Sequence, residues 1–269
     1  MKILLISGTH SRHLYLHKKI IDLGLECKAI IMQRESVMQS VNTDSDELEN
    51  KDKENLKFHF NERFKIETKI FGELDAKKIF SNVPNLFCEK KDLNSKKILD
   101  YISSFEADIC IVFGSGLLSD KTLKKLPIDT INVHLGLSPF YRGSATLFWP
   151  FYNLEPQFVG ATFHKVSNVT DGGDILHQTV PKLEYGYGIH DLSAKTVEGA
   201  ADDLLKLIEI KKNKKWFYHK QKTSGRLYLT KDFKPAHLRV IYDLYNNSIV
   251  DEYLNKKLSQ HTPKLIKSF

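Results

Sequence analysis

The sequence predicts an α/β fold: an open, mostly parallel sheet with flanking helices, followed by a small C-terminal appendage. Continuous apolar runs, such as residues 2–7 and 107–113, are typical of strands that are buried on both faces of a parallel sheet. Segments with a helical spacing of apolar residues lie between these runs. This alternation predicts right-handed crossovers and ligands that bind beyond the carboxyl ends of the strands.

The N-terminal elements follow this pattern in order. Residues 2–7 form the first predicted strand, residues 12–23 the first helix and residues 27–32 the second strand. Further strands are predicted at residues 107–113 and 130–134, each of which begins or ends beside Gly, Asp or Pro.

An insertion is predicted between the second and third of these strands, at residues 35–73. Residues 40–57 are highly charged, and Leu56, Phe60 and Phe64 then recur every four residues. We interpret them as a mobile loop followed by an amphipathic helix that packs on its own domain. Packing on a partner subunit is the alternative, so the sequence leaves a homodimer open.

The second half of the chain completes the domain and adds the appendage. An alternating strand at residues 160–166 and a helix at residues 191–212 close the predicted domain, which spans residues 1–212. Residues 213–269 change in composition and are interpreted as an appendage rather than an independent domain. Its predicted elements are short strands at 216–218 and 226–230 and one or two helices within 237–258.

Composition excludes several classes of protein. The chain has 269 residues, of which 41% are hydrophobic and 27% charged, so it is not a disordered chain. No apolar run approaches the roughly 18 residues that cross a bilayer, and the N-terminus is typical of a buried strand rather than a signal peptide. Cys27, Cys88 and Cys110 are too dispersed for a disulfide framework or a zinc site, so no metal is expected. A reducing cytoplasm is the expected compartment.

The net charge of +7 comes from scattered lysine pairs. No basic stripe with interleaved aromatic residues is present, which argues against nucleic acid as a partner. A lysine-rich solvated surface with a weak preference for anionic ligands fits the pattern better.

The densest group of unusual polar residues lies between residues 130 and 174. Asn132 and His134 are two apart on a predicted strand and therefore share one face, and Asp171 precedes a pair of glycines. An amide and an imidazole can donate hydrogen bonds to a developing oxyanion, and a carboxylate can support the imidazole or relay a proton. No Ser or Cys lies in a nucleophile-elbow context, so direct acyl transfer fits better than a covalent acyl-enzyme. The pattern alone leaves a purely structural role for Asn132 and His134 open.

Three separated motifs in this region resemble those of a known family. Asn-Val-His at 132–134, Leu-Ser-Pro-Phe-Tyr-Arg-Gly at 137–143 and Asp-Gly-Gly-Asp at 171–174 occur in the family's order and spacing. The chain thus resembles the N10-formyltetrahydrofolate-dependent formyltransferases, which include the glycinamide ribonucleotide, methionyl-tRNA and sugar N-formyltransferases. The resemblance covers residues 105–215 and implies a Rossmann-like sheet of the formyltransferase type. His164 also falls where part of the family carries a histidine.

The resemblance implies roles for individual residues. Asn132 and His134 would hold the formyl oxygen, and Asp171 would support His134 and help to remove the amine proton. The formyl donor would be N10-formyltetrahydrofolate. Its binding residues would be Phe113, Gly114, Ser115, Gly116, Leu117, Leu118, Val169, Thr170 and Asp174.

The acceptor is expected at the turn between the first strand and helix. This turn lacks a G-x-G-x-x-G fingerprint, but a helix N-terminus with an arginine is suited to phosphate. The corresponding turn in the family often faces the acceptor. The substrate-binding residues predicted here are Thr9, His10, Arg12, Tyr141 and Arg142, for which capping or structural ion-pair roles are the alternative. His177 and His190 are expected at the surface or at a helix cap.

The sequence therefore predicts formyl transfer to a primary amine, with a nucleotide-linked amino sugar as the favoured small-molecule acceptor. The appendage of about 55 residues is short for the RNA-binding barrel of the tRNA enzyme, and the chain is longer than a minimal glycinamide ribonucleotide enzyme. The alternatives are one of those two acceptors, a non-catalytic folate- or nucleotide-binding protein, and a basic RNA-binding protein.

Overall fold

A computed structural model describes residues 1–34, 48–222 and 225–269. The strands are β1 (Lys2–Gly8), β2 (Glu26–Met32), β3 (Asn85–Cys88), β4 (Ile109–Phe113), β5 (Thr130–His134), β6 (Tyr141–Gly143), β7 (Ala161–Lys165), β8 (Ile175–Thr179) and β9 (Arg226–Tyr228). The α-helices are α1 (Ser11–Ile21), α2 (Asn50–Phe71), α3 (Ala76–Ile79), α4 (Lys96–Ser103), α5 (Asp120–Leu123), α6 (Trp149–Tyr152), α7 (Ile189–Asn213) and α8 (Ile249–Leu254).

Within the described residues, seven strands form one sheet in the order β3-β2-β1-β4-β5-β7-β8. The first five are parallel, whereas β7 and β8 run antiparallel to their neighbours. The predicted α/β fold with a mostly parallel sheet is confirmed.

The apolar run of β1 shows why this sheet needs helices on both faces. Ile3 and Leu5 belong to the core cluster under α1 and α7, whereas Leu4 and Ile6 belong to the cluster under α4. Successive side chains alternate between the two faces, so a strand covered on both sides must be apolar throughout. All four side chains are fully buried.

Several sequence predictions of local structure need correction. Residues 216–218 form no strand, because Trp216 is buried in the core and donates its Nε1–H to the Leu207 carbonyl at 2.9 Å. His177 and His190 are buried rather than at the surface. The three strands β3, β6 and β8 were not predicted from the sequence.

The helix of the insertion packs on its own domain, as predicted, against α1 and α7. It begins at Asn50, so the part of the predicted loop at residues 50–57 is helical, while residues 35–47 lie outside the described residues. Leu56 is fully buried, but Phe64 is 69% exposed. Residues spaced four apart drift around a helix of 3.6 residues per turn, so a continuous buried face needs residues spaced alternately three and four apart. That face carries the polar residues His59 and Glu67.

The segment after α7 packs onto the domain that precedes it. Strand β9 pairs in parallel with β6, and the side chain of Asn247 accepts a hydrogen bond from the backbone of Ile189 at the start of α7. The backbone N–H of Ser268 donates to His177 Nδ1 at 3.0 Å. The domain boundary at residue 212 stays a prediction. In the part of the chain described here, no helix combines the length and apolar character needed to cross a membrane.

Candidate active site

The register between β5 and β7 brings two polar side chains together. Asn132 lies directly opposite His164 in this antiparallel pair, so their side chains share one face of the sheet. Asn132 Nδ2 lies 3.2 Å from His164 Nε2. His164 Nδ1 lies 2.8 Å from the Lys165 carbonyl, which can only accept, so Nδ1 carries the hydrogen. In the neutral ring, His164 Nε2 therefore carries no hydrogen and can accept a hydrogen bond from Asn132 Nδ2.

A sharp turn after β7 brings Asp171 to these residues. Asp171 has a φ of 46°, in the left-handed region that few side chains adopt. Its carboxylate accepts the Gly143 N–H at 2.9 Å. A Cβ on Gly173 would lie 1.8 Å from the Lys165 carbonyl oxygen, so only glycine lets the turn lie this close to β7.

The Asp171 carboxylate lies between two histidines. His134 Nδ1 is 3.3 Å from one oxygen and His164 Nε2 is 3.5 Å from the other. Burial alone would raise the pKa of Asp171, but the charge of His134 together with the hydrogen bond and charge of His164 lowers it to about 2. Asp171 is thus a carboxylate at neutral pH.

His134 is turned towards the protein rather than towards open space. Its Nε2 donates to the Tyr141 carbonyl at 2.9 Å, and its Nδ1 faces Asp171. A Cβ on Gly136 would lie 2.5 Å from Nε2, so glycine is required for this packing. Burial lowers the pKa of His134, and the Asp171 carboxylate opposes that shift. The proton between His134 Nδ1 and the Asp171 carboxylate is shared by the two groups, so they titrate together.

These residues border a cavity of about 1360 Å³ at the carboxyl edge of the sheet. Asn132, His164 and Asp171 line it, and His134 lies behind Asp171. We call Asn132, His134, His164 and Asp171 the reaction cluster. The prediction that His134 itself contacts the substrate is not supported by this arrangement, because both of its ring nitrogens face protein oxygens.

Most of the predicted donor-binding residues border the same cavity. Those on its wall are Ser115, Gly116, Leu117, Leu118, Val169 and Thr170. Of the described residues, the wall does not include Phe113, Gly114 or Asp174. Phe113 points to the opposite face of the sheet, where its ring packs edge-on against His13 at 4.6 Å, and its neighbour Val112 faces the cavity instead. Gly114 and Asp174 use their carbonyls in bonds to Arg34 and Lys165.

The predicted acceptor residues divide into two groups. Thr9 and His10 line the cavity, whereas Arg12 is turned to Glu67 on α2, with Nε to Oε1 at 2.5 Å. The prediction of Tyr141 as a substrate-binding residue needs correction, because Tyr141 is 2% exposed and its hydroxyl donates a hydrogen bond to Glu155. Only its backbone carbonyl serves the site.

Arg142 is buried beside the turn that carries Asp171. Its Nη1 lies 3.4 Å from the Thr170 carbonyl, so it supports the turn rather than lining the cavity. The arrangement favours the structural alternative for this residue.

Sequence reasoning placed His164 outside the predicted catalytic set, although a signal was present. A histidine that alternates with apolar residues on a strand, seven residues before Asp171, shares the face that Asn132 occupies. The sequence does not show that four basic residues also line the cavity, because they come from three segments that are separated along the chain. They are Arg34, Lys77, Lys90 and Lys91.

Comparison with known proteins decides the family. The model of the family described as formyl transferase matches residues 1–207, which is most of the chain. The chain belongs to the formyl transferase family.

The curated relatives of this chain carry different names. It is 32% identical over 116 residues to the bifunctional polymyxin resistance protein ArnA of Wigglesworthia glossinidia brevipalpis, covering 43% of this chain and 17% of that protein. It is 26% identical over 190 residues to the methionyl-tRNA formyltransferase of Clostridioides difficile strain 630, covering 63% of this chain and 61% of the relative. The chain therefore spans less than two thirds of the length of these relatives.

A solved structure supports the fold. The N-formyltransferase of Helicobacter canadensis, in complex with folinic acid and dTDP-3-aminofucose, matches with a TM-score of 0.55 at 15% identity. The match covers 87% of this chain and 73% of that one.

Proposed function

We propose that this protein transfers the formyl group of N10-formyltetrahydrofolate to the primary amine of a nucleotide-linked amino sugar. One observation carries the proposal: an amide, an imidazole and a carboxylate meet on the wall of one large cavity at the carboxyl edge of the sheet. Membership of the formyl transferase family supports the reaction class.

Asn132 is proposed to stabilise the negative charge on oxygen. When the amine adds to the formyl carbon, the carbonyl oxygen gains charge and needs a positioned donor. The Asn132 Nδ2–H faces the cavity between β5 and β7 and can turn from His164 Nε2 to that oxygen. One such donor typically contributes a factor of about 100 to 1000 in turnover.

His164 is proposed to carry the proton. Its Nδ1–H is held by the Lys165 carbonyl, which leaves Nε2 as the nitrogen that gains and loses a proton on the cavity side. Nε2 takes the proton released by the attacking amine as the new carbon–nitrogen bond forms. The same proton then passes to N10 of the leaving tetrahydrofolate as the bond to N10 breaks. The products are the formamide and tetrahydrofolate, with no net change in His164.

Asp171 and His134 are proposed to act together behind His164. The ionised Asp171 stabilises the imidazolium that His164 becomes, through the contact of 3.5 Å. His134 and the Gly143 N–H hold the other carboxylate oxygen in place. His134 is thus a positioning residue in this scheme.

The donor is proposed to occupy the part of the cavity bordered by residues 115–118 and by Val169 and Thr170. The side chains of Leu117 and Val169 are 80% and 52% exposed, so they offer apolar surface to a flat heterocycle. Volume is not limiting, because about 1360 Å³ exceeds a site for one small ligand and leaves room for the acceptor.

The identity of the amine acceptor is the most specific part of the proposal. The neighbour with folinic acid and dTDP-3-aminofucose favours an amino sugar, whereas the curated relative from Clostridioides difficile favours methionyl-tRNA. Thr9 and His10 border the cavity at the turn before α1, within reach of a small phosphorylated acceptor.

A panel experiment tests the proposal. The chain is incubated with N10-formyltetrahydrofolate and, separately, with nucleotide-linked amino sugars, glycinamide ribonucleotide and charged initiator tRNA. Release of tetrahydrofolate with an amino sugar alone is the expected result. Release only with tRNA or with glycinamide ribonucleotide would replace the acceptor, and release with none would overturn the activity.

A further inference from the structure

The insertion helix α2 carries charged groups to the turn before α1. Both Arg12 of α1 and Arg63 of α2 direct Nε to the same oxygen, Oε1 of Glu67. The three side chains are only 12%, 21% and 8% exposed, respectively. We call Arg12, Arg63 and Glu67 the arginine cluster.

Among the residues that the structure describes, the arginine cluster holds more positive charge than its one carboxylate balances. Two guanidinium groups share one ionised acid, since burial alone would raise the pKa of Glu67 but the two arginines lower it. The neighbouring His59 and His190 have lowered pKa values, by burial and by the charges of these arginines, and add no negative charge. A buried excess cation is costly unless an anion joins it.

The cluster lies behind the turn whose residues Thr9 and His10 border the cavity, and none of its three members is itself on the cavity wall. Arg12 lies in the first turn of α1, which holds no acidic residue. His10 lines the same cavity as Asn132 and Asp171. Strand β1 is two positions from β5 in the sheet, which corresponds to a separation of about 10 Å.

Because a single Glu67 oxygen binds both Nε atoms, the two guanidinium planes are fixed through their Nε sides. A guanidinium bound at Nε can still donate hydrogen bonds from its terminal nitrogens, and its planar fork matches phosphate oxygens. Glu67 acts here as a positioning residue rather than as a binding one.

We propose that α2 of the insertion is part of the acceptor site, with Arg63 and Arg12 binding the diphosphate of the nucleotide-linked acceptor and Glu67 orienting them. This inference rests on the proposed function for its substrate class. It gives the insertion a role in substrate binding, although the insertion contains none of the three motifs that resemble the family.

Binding of diphosphates to the full chain tests the inference without any formyl transfer. Calorimetric titration with inorganic pyrophosphate and with dTDP is compared among the wild type, Arg63→Gln, Arg12→Gln and Lys65→Gln. Lys65 is the matched control, because it lies on the same helix, carries the same charge and is 69% exposed. We expect each arginine variant to weaken dTDP binding about tenfold or more, and the control to change it by less than about twofold.

Two further measurements separate binding from folding. Titration with tetrahydrofolate is expected to give the same affinity in Arg63→Gln as in the wild type, and dTDP is expected to raise the Tm of the wild type. Glu67→Gln is expected to weaken dTDP binding although it adds net positive charge, and tighter binding would overturn its positioning role.

The failures of the two proposals are distinguishable. Binding of dTDP that depends on Arg63, with no amine formylated, would support the anion site and reject the activity. Formylation with equal dTDP affinity in Arg63→Gln and Lys65→Gln, or no diphosphate binding by the wild type, would overturn the inference.

Discussion

Two polar clusters at the carboxyl edge of this protein are built in opposite ways. The reaction cluster stands on adjacent strands, and the pairing of Asn132 with His164 follows from the register between β5 and β7. The arginine cluster is assembled between helices, from Arg12 and from two residues more than 50 positions further along the chain. The sheet therefore fixes the geometry of the first, while the insertion determines whether the second exists.

The difference suggests a division of labour. A group that must meet a reacting atom needs the precision that a strand pair supplies, and groups that bind a distant phosphate tolerate the looser support of packed helices. Changes to the reaction cluster should therefore lower kcat, whereas changes to the arginine cluster should raise the KM of the acceptor.

The largest expected effect is at Asn132. Asn132→Ala removes the proposed donor for the oxyanion and is expected to lower kcat by a factor of about 100 to 1000, with little change in either KM. Single-turnover release of tetrahydrofolate measures it, with Asn255→Ala at the surface as the control. An unchanged kcat would remove Asn132 from the chemistry.

The two histidines of the reaction cluster are expected to differ. His164→Gln removes the proposed proton carrier and is expected to lower kcat by a factor of about 100. His134→Gln acts only through Asp171, so we expect a smaller loss of kcat together with a lower Tm. Equal kcat losses with an unchanged Tm in His134→Gln would instead return His134 to contact with substrate.

How far the sequence predicts these clusters depends on what holds each residue. Asn132 and Asp171 were predicted because a motif with fixed spacing on one strand and one turn carries them. The orientation of His134 could not be predicted, since it depends on the Tyr141 carbonyl in a loop. Tyr141 was assigned to the acceptor, but its ring stacks on Tyr228 of the C-terminal segment, a contact between residues distant in sequence that the sequence does not reveal.

The elements of the fold differ in the same way in how clearly the sequence predicts them. Apolar runs predicted β1, β2 and β4, since burial on both faces leaves a clear signal. The polar buried face of α2 gave no such signal, because its partners include Arg12 on α1 and Tyr242 near the C-terminus.

A smaller effect is expected when one cation of the arginine cluster is removed. Arg12→Gln is expected to raise the KM of the acceptor about tenfold and to leave kcat nearly unchanged, since Arg12 lies away from the reacting atoms. Initial rates at varied acceptor concentration measure it. A loss confined to kcat would break the division between the clusters.

The pH dependence of stability should differ between His190, which lies beside the arginine cluster, and Asp171 of the reaction cluster. Burial and the neighbouring arginines lower the pKa of His190 to about 3. The unfolded chain then binds a proton below about pH 6.5 that the folded chain does not, so acid destabilises the fold. We expect His190→Asn to remove about 1 to 2 kcal/mol of the stability lost between pH 7.5 and 5.

Asp171 should behave differently over the same range. Its pKa of about 2 in the folded protein lies below the unfolded value of 3.8, so its contribution is lost only as pH falls below about 4. Chemical denaturation at each pH measures His190→Asn. NMR titration of the Asp171 carboxyl measures its pKa directly, since Asp171→Asn would also change the pKa of His134. A midpoint near the unfolded value of 3.8 would contradict this assignment.

Transfer of an isotopically labelled formyl group tests the central claim most directly. The labelled donor is incubated with a nucleotide-linked amino sugar and either the wild type or Asn132→Ala, and the products are analysed by mass spectrometry. We predict that the label moves to the amino sugar as a formamide with the wild type and about 100-fold more slowly with the variant. Label that remains on folate with the wild type, or that moves equally fast with both proteins, would contradict the account.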